Sequence, residues 1–324
     1  DLTQKDIYEA IIAFKNDHPD IFWIKNTFSY YDYDGSTYVE LFYISSGTTL
    51  ETQKEKFNEA LNDFVNNATM YSSEYEREKY VNDYIISNCV YDDEAAYNNN
   101  TKGNVSTAYG VLVDGKAICE GYARAFQLLC NKLGIECVSI AGMTDDVGHE
   151  WNCAKIGGNW YQVDVTWNDS QDDFSNYYYF NLTDEQMYSS HRADDLFDEI
   201  EPDNYNNDEN LIGNLYVPEC NSTEYNYYNQ TAPILYAFDE ENDNTISNAL
   251  ANSAVNGDNY FNIIVDDSLD FEDAYSTLVQ DGYVVNYIES ANNMLWGEVE
   301  LDTSSYAYKN DTLRVITIVL NYIN

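Results

Sequence analysis

The stretch from residue 119 to residue 167 constrains the fold of this chain more than any other. It opens with a helix pattern that begins at Cys119 and ends before Gly134, a suitable C-cap. The apolar face of this pattern, at i, i+4, i+7, i+8 and i+11, is typical of a helix packed on a core and consists of Tyr122, Phe126, Leu129, Cys130 and Leu133. Two strand patterns follow, residues 149–156 and 160–167, separated by Gly157-Gly-Asn. A buried helix followed by a hairpin predicts an α+β fold.

Cys119 is the first residue of the predicted helix. Unpaired amides and the helix dipole at an N-terminus favour a thiolate, and the N–H of Cys119 itself can face a developing oxyanion. The alternative interpretation is a small apolar residue at the start of a core helix.

His149 and Asp164 lie on opposite strands of the predicted hairpin. A carboxylate between Val163 and Val165 needs a partner if it is buried, and His149 can supply one. Directly opposed residues share a face, so the two side chains converge only if the turn has two residues. A regular three-residue loop would place them on opposite faces.

Histidines in strands are also found as ordinary core residues, which is the alternative for His149. The other two histidines of the chain, His18 and His191, are interpreted as surface residues because of their polar surroundings. A cysteine, a histidine and a carboxylate together supply a nucleophile, a base that takes its proton, and a group that orients the base.

Three segments resemble the three motifs of the transglutaminase-like superfamily, in the family's order of Cys, His and Asp. They are Tyr109-Gly-Val-Leu-Val-Asp-Gly-Lys-Ala-Ile-Cys-Glu-Gly-Tyr-Ala, Gly148-His-Glu-Trp-Asn, and Trp160-Tyr-Gln-Val-Asp-Val-Thr-Trp. The resemblance covers residues 75–170, and the preceding region is similar to that of bacterial surface members. It implies a papain-like core, in which a helix that carries the cysteine packs on antiparallel strands that carry the histidine and the aspartate.

The resemblance also implies residue roles. Cys119 is the nucleophile, His149 the general base and then acid, and Asp164 the orienting carboxylate. Papain-like proteases use a glutamine six residues before the nucleophile as an oxyanion donor, but Val113 stands there. Tyr109 is the predicted substitute.

The resemblance implies cysteine acyl transfer on peptide or isopeptide amide bonds, with protease-like hydrolysis slightly favoured over transfer to an amine. Both reactions pass through a thioester and differ in whether water or an amine meets it. The alternative is a non-catalytic cell-surface binding module on the same fold, but such modules typically lose a member of the triad.

Charge limits the classes of partner. The net charge of −42 repels phosphate backbones and anionic lipids, which disfavours nucleic-acid and membrane-surface binding. We expect a peptide or protein substrate, such as a cell-wall peptide or a cationic protein. No apolar run reaches the ~18 residues of a membrane span. The acidity, the many Tyr and Asn residues and the start at Asp1 predict a secreted or cell-surface protein.

No cofactor or metal is expected. The six cysteines form no Cys-x-x-Cys pair, which disfavours zinc and a disulfide framework. The acidic clusters lack the glycine and terminal glutamate of an EF-hand loop.

The chain is predicted to have three parts: an N-terminal α+β region (1–72), the transglutaminase-like core (73–204) and a β-rich or α+β module of unknown role (205–324). In the first part we expect a helix over 3–16, a hairpin at Asp34-Gly35 and helices over 50–67 and 73–87. The polar run Asn204–Asn210 predicts a linker. In the last part strands are predicted over 234–238, 260–265, 283–288, 295–301 and 312–322, with a helix over 271–280.

Overall fold

The computed structural model describes residues 3–98, 103–170, 172–196, 214–297 and 299–323. The chain forms two compact units, the first from Asp1–Gln171 and Tyr179–Ser222, the second from Asp172–Tyr178 and Thr223–Asn324. The predicted linker and the boundary near residue 205 lie outside the described residues, so the predicted three-part division stays a prediction. Within the described ranges, no helix combines the length and apolarity that crossing a membrane requires.

The first unit begins with the helices and the hairpin that the sequence predicts. They are α1 (Gln4–Asp17), β1 (Ile24–Tyr33), β2 (Ser36–Tyr43), α2 (Gly47–Ala68) and α3 (Glu74–Asn88). Thr3 and Ser73 each form a capping box that satisfies the first amides of the following helix. Both residues of the turn between the strands have positive φ, 52° at Asp34 and 74° at Gly35, as a type I′ hairpin turn requires.

The rest of the first unit is built around one antiparallel sheet. Its elements are β3 (Val90–Tyr91), α4 (Asp93–Tyr97), β4 (Lys116–Ala117), α5 (Cys119–Lys132), β5 (Cys137–Thr144), β6 (Val147–Ile156), β7 (Asn159–Val163), α6 (Val165–Asn168), α7 (Asp184–Met187) and β8 (His191–Ala193). The strand order is β7-β6-β5-β8, while β3 pairs in parallel with β4. Every residue of α5 from Glu120 to Cys130 is buried. The predicted α+β arrangement, a cysteine helix on an antiparallel sheet, is confirmed.

Gly142 on β5 allows the backbone of β8 and the ring of Trp151 to pack closely against it. A Cβ atom at this position would lie 2.3 Å from the carbonyl oxygen of Arg192 and 2.5 Å from the ring of Trp151. We expect Gly142→Ala to lower the free energy of unfolding by about 1–3 kcal/mol, because backbone and a buried ring must both move. Denaturant titration measures the effect. Gly148→Ala is the matched control, since no atom lies within 4 Å of its added Cβ, and an equal loss in both variants would contradict the close-approach argument.

The second unit is α+β rather than β-rich. Its elements are α8 (Tyr227–Thr231), β9 (Ile234–Leu235), α9 (Glu240–Asn256), β10 (Tyr260–Val265), α10 (Phe271–Tyr275), a π-helical turn (Ser276–Gln280), α11 (Val284–Leu295), β11 (Ala307–Asn310) and β12 (Val315–Val319). Its sheet has the order β11-β12-β10-β9, and β9 is parallel to β10.

The strand predicted over residues 283–288 is wrong, because these residues belong to the start of α11. The β-branched run misled the prediction, whereas the buried positions follow helical spacing: Val284, Tyr287, Ile288, Ala291 and Leu295. The strand predicted over 295–301 is also wrong, since among the described residues of that range only Leu301 forms a bridge, with Tyr322.

Candidate functional site

Cys119 begins α5 at an N-terminus that carries no side-chain cap. The N-cap residue is Ile118, whose side chain has no acceptor for the first-turn amides. Close packing holds this end of the helix in place, because a Cβ atom at Gly121 would meet the Val105 carbonyl oxygen at 2.5 Å. Cys119 is partly exposed, whereas the other five cysteines are buried, and all six are free thiols. Cys119 is therefore the accessible thiol of the chain.

The turn between β6 and β7 has the two-residue length that places the His149 and Asp164 side chains on one face. Ile156 pairs with Asn159, which leaves the two-residue turn Gly157-Gly158, with φ of 59° and 89°. His149 and Asp164 accordingly lie on one face, as the sequence predicts for a two-residue turn. The strand, however, ends at Val163, so Asp164 lies one residue beyond it.

Asp164 is the N-cap of α6. Its Oδ1 accepts hydrogen bonds from the amides of Thr166 and Trp167 at 2.9 and 3.1 Å. A strand residue has no such amides to bind, so the end of β7 is what fixes one carboxylate oxygen to the backbone. The other oxygen, Oδ2, points to the histidine face of the sheet.

His149 and Asp164 form a buried pair, with 2.7 Å between Nε2 and Oδ2. Burial lowers the pKa of His149, but the Asp164 charge and hydrogen bond outweigh it and raise that pKa to about 10. Burial has the opposite effect on Asp164 and raises its pKa. The charge and the hydrogen bond of His149 outweigh this effect and hold the Asp164 pKa well below its usual range. The hydrogen bond between Cys119 and the imidazole also acts on the His149 pKa. Because Asp164 occupies Nε2, Nδ1 is the ring nitrogen left for a second partner.

His191 is not a surface residue, which corrects the prediction made from its polar neighbours. It is 3% exposed, and its Nε2 lies 3.0 Å from Oδ2 of Asp164, the same oxygen that His149 binds. Antiparallel pairing with Thr144 on β5 brings it there from a distant part of the chain. His18, by contrast, is exposed as predicted.

These three side chains also form a geometric ligand set. One atom each of His149, Asp164 and His191 lies within 4.8 Å of the others. The direct hydrogen bonds of 2.7 and 3.0 Å account for that grouping, and the second carboxylate oxygen is held by backbone amides. Hydrogen bonding explains the group without an ion.

Tyr91 is a second residue that sequence reasoning missed. It lies opposite Ala117 in the β3–β4 ladder, and its ring centroid is 6.1 Å from that of Tyr122 on α5. Burial and the Cys119 thiol charge raise the pKa of its hydroxyl, while a hydrogen bond with the Cys119 backbone lowers it. Cys119 is therefore the residue whose groups act most on this hydroxyl besides burial. A sequence pattern gives no signal for this contact, because a two-residue parallel ladder creates it.

Tyr109 lies in an aromatic cluster. Its ring centroid is 4.7 Å from that of Phe22 and 6.1 Å from that of Phe57, and it is 4% exposed. Burial raises the pKa of its hydroxyl, as does Asp114. Its role as an oxyanion donor stays a prediction.

Two buried carboxylates, Glu120 and Glu150, directly follow the candidate cysteine and histidine in the sequence. Arg124 lies between them, 3.3 Å from an oxygen of Glu120 and 3.8 Å from an oxygen of Glu150. Burial raises the pKa of Glu150 to about 7, against the opposing effect of the Arg124 charge. Arg124 also donates to the backbone carbonyl of Lys15 in α1. The first helix of the chain therefore covers a charged layer behind the candidate site.

Comparison with known proteins confirms the transglutaminase-like resemblance for part of the chain. Residues 62–165 match the model of the transglutaminase-like superfamily. The chain is 29% identical over 167 residues to kyphoscoliosis peptidase of Mus musculus and 26% identical to that of Homo sapiens. Each alignment covers 48% of this chain and 24% of the relative, so the chain spans about a quarter of the length of these relatives.

A solved structure of a TGase is also similar to part of the chain. It has 16% sequence identity and a TM-score of 0.32, with 49% of each chain covered.

Proposed function

We propose that this chain is a cysteine acyl-transfer enzyme that acts on peptide or isopeptide amide bonds. The observation that carries the proposal is the buried His149–Asp164 pair, 2.7 Å apart, together with the partly exposed Cys119 thiol at an uncapped helix N-terminus. The effect of Cys119 on the His149 pKa supports a position of the thiol beside the imidazole. The superfamily match over residues 62–165 supports the same chemistry. No cofactor enters the mechanism.

The Cys119 thiolate attacks the carbonyl carbon, and the oxyanion that forms meets the Cys119 amide at the helix N-terminus. Tyr109 stays the predicted second donor, and Tyr91 is a further candidate because Cys119 acts on the pKa of its hydroxyl. His149 gives its Nδ1 proton to the leaving nitrogen as the C–N bond breaks, leaving a thioester. It then takes a proton from the water or amine that attacks the thioester, and the thiol is restored.

Asp164 keeps a proton on Nε2 of His149 during both steps, so that Nδ1 faces the thiol. We favour hydrolysis slightly over amine transfer, and the name of the relatives, a peptidase, supports that choice by analogy. The net charge of −42 supports an extracellular or cell-surface enzyme whose substrate carries amines, such as a cell-wall peptide or a cationic protein. The competing function is a binding module that does not use the thiol.

Alkylation by iodoacetamide tests the activated thiol without a known substrate. At about pH 6.5 we expect Cys119 to react faster than the five buried cysteines, and His149→Ala to slow it at least about tenfold, because the imidazolium that stabilises the thiolate is lost. Peptide mass spectrometry locates and times the label. His18→Ala, which removes an exposed histidine, is the control. If Cys119 labels equally fast in wild type and His149→Ala, the activated thiol is refuted and the binding module is favoured.

A further inference from the structure

His191 occupies a position that the triad alone does not explain. Its Nε2 lies 3.0 Å from Oδ2 of Asp164, and its Nδ1 lies 2.8 Å from the hydroxyl oxygen of Ser190. Its side chain is fully buried, as is that of Asp164. A buried imidazole with both nitrogens engaged is held in one orientation.

The contacts of His191 decide which of its nitrogens carries the proton. An ionised carboxylate only accepts hydrogen bonds, so Nε2 must donate to Asp164. The Ser190 hydroxyl oxygen contacts Nδ1 and also lies 3.4 Å from the backbone carbonyl oxygen of Met187. The ring centroid of His191 lies 5.5 Å from that of His149, and Nε2 of each ring contacts the same carboxylate oxygen.

Aromatic side chains enclose the ring of His191. Its centroid is 4.7 Å from that of Trp167, 5.1 Å from that of Trp151 and 5.6 Å from that of Tyr179. The enclosure excludes water from Oδ2 of Asp164, so the donors to that oxygen are the two imidazoles. Oδ1 is fixed separately by the amides of residues 166 and 167.

We propose that His191 is a positioning residue: by donating from Nε2 to Asp164 Oδ2 inside an aromatic enclosure, it fixes the carboxylate that orients His149. Without this donor, Oδ2 has one partner and the carboxylate can rotate about its Oδ1 contacts. The imidazolium of His149 then loses alignment with the thiol. This inference rests on the proposed function, since it concerns the same thiolate and imidazolium pair.

Two substitutions at residue 191 separate positioning from packing. His191→Gln places an amide N–H near the position of Nε2 but fills the aromatic enclosure poorly. His191→Phe fills the enclosure and has no donor. A packing role requires Phe to be the better replacement, whereas a positioning role requires Gln.

The experiment measures iodoacetamide alkylation of Cys119 across a pH series, with thermal unfolding of each variant alongside. We expect His191→Phe to slow alkylation at about pH 6.5 by at least about tenfold and to move its pH dependence upward, with His191→Gln staying within about threefold of wild type. Equal slowing in both variants, or slowing that follows thermal stability, overturns the proposal.

Failure of the proposed function gives a different result, because His149→Ala would then alkylate as fast as wild type. That outcome would mean that His149 does not activate the Cys119 thiol, and it overturns both proposals. If neither variant at residue 191 folds, ¹⁵N NMR of wild-type protein labelled at the histidine ring nitrogens tests the same contact. We expect Nε2 of His191 to carry a proton, as donation to Asp164 requires, and an Nε2 without a proton overturns the positioning role.

Discussion

Replacement of Cys119 by alanine is expected to lower amide turnover by about 10⁶-fold, the size of loss seen when a covalent nucleophile is removed from a working triad. The residue is the accessible thiol of the chain and hydrogen-bonds to His149. The assay incubates a proteome-derived peptide mixture with the protein, with and without a labelled primary amine such as cadaverine. Mass spectrometry identifies new termini or labelled glutamines.

Cys137→Ala is the matched control, because it removes a buried thiol at the start of β5. New peptide termini in the absence of the amine establish hydrolysis, and amine-labelled glutamines establish transfer. If wild type and Cys119→Ala give the same cleaved and labelled peptides, the enzyme proposal fails.

Asp164→Asn is expected to lower turnover by about 10³- to 10⁴-fold. The backbone decides the orientation of the new amide: the Thr166 and Trp167 amides need an acceptor, so the Asn oxygen stays with them. Its NH₂ group must then face the Nε2 atoms of His149 and His191. His149 is forced to carry its proton on Nδ1, toward the thiol, which is the wrong tautomer for accepting a proton from it.

The same variant has a pH-dependent effect on stability. The pKa of His149 is raised from 6.5 to about 10. Its contribution to the free energy of unfolding is therefore complete below pH 6.5 and is lost as the pH rises through 10. The pKa of Asp164 is lowered from 3.8, so its contribution is present above 3.8 and is lost as pH falls. The difference in free energy of unfolding between wild type and Asp164→Asn should therefore be largest between pH 3.8 and pH 6.5.

Denaturant titration at several pH values measures this difference. Asp146→Asn makes the same change of charge on the exposed turn between β5 and β6 and should show no such maximum. A difference that grows from pH 6.5 to pH 10 would contradict the charged pair.

The sequence predicted the parts of the candidate site that depend on local structure. The Cys119 helix is defined by its apolar face, and the turn at Gly157-Gly158 determines on which face His149 and Asp164 lie. Each of these features is contained within one helix or one hairpin. Local pattern was therefore sufficient to predict the helix and the hairpin, whereas the length of the turn, left open between two and three residues, is two in the structure.

His191 and Tyr91 could not be predicted in this way. His191 reaches the site because β8 pairs with β5, a contact between residues far apart in the sequence. Tyr91 reaches Cys119 through a parallel ladder of two residues, too short to leave a periodic signal. The presence of only three histidines in 324 residues was the one available hint that each could have a role.

The charged layer beneath α1 shows that the folded first unit extends beyond the region that matches the family. The family match starts at residue 62, yet Arg124 and Gln127 of α5 donate to the carbonyls of Lys15 and Asn16 at 3.2 and 2.8 Å. A protein shortened to the family match would lose both hydrogen bonds and expose these donors to water, at a net cost of about 0.5–1.5 kcal/mol for each hydrogen bond. We therefore expect a protein that begins at the family boundary to be less stable than one that keeps α1, because α1 covers part of the helix that begins at Cys119.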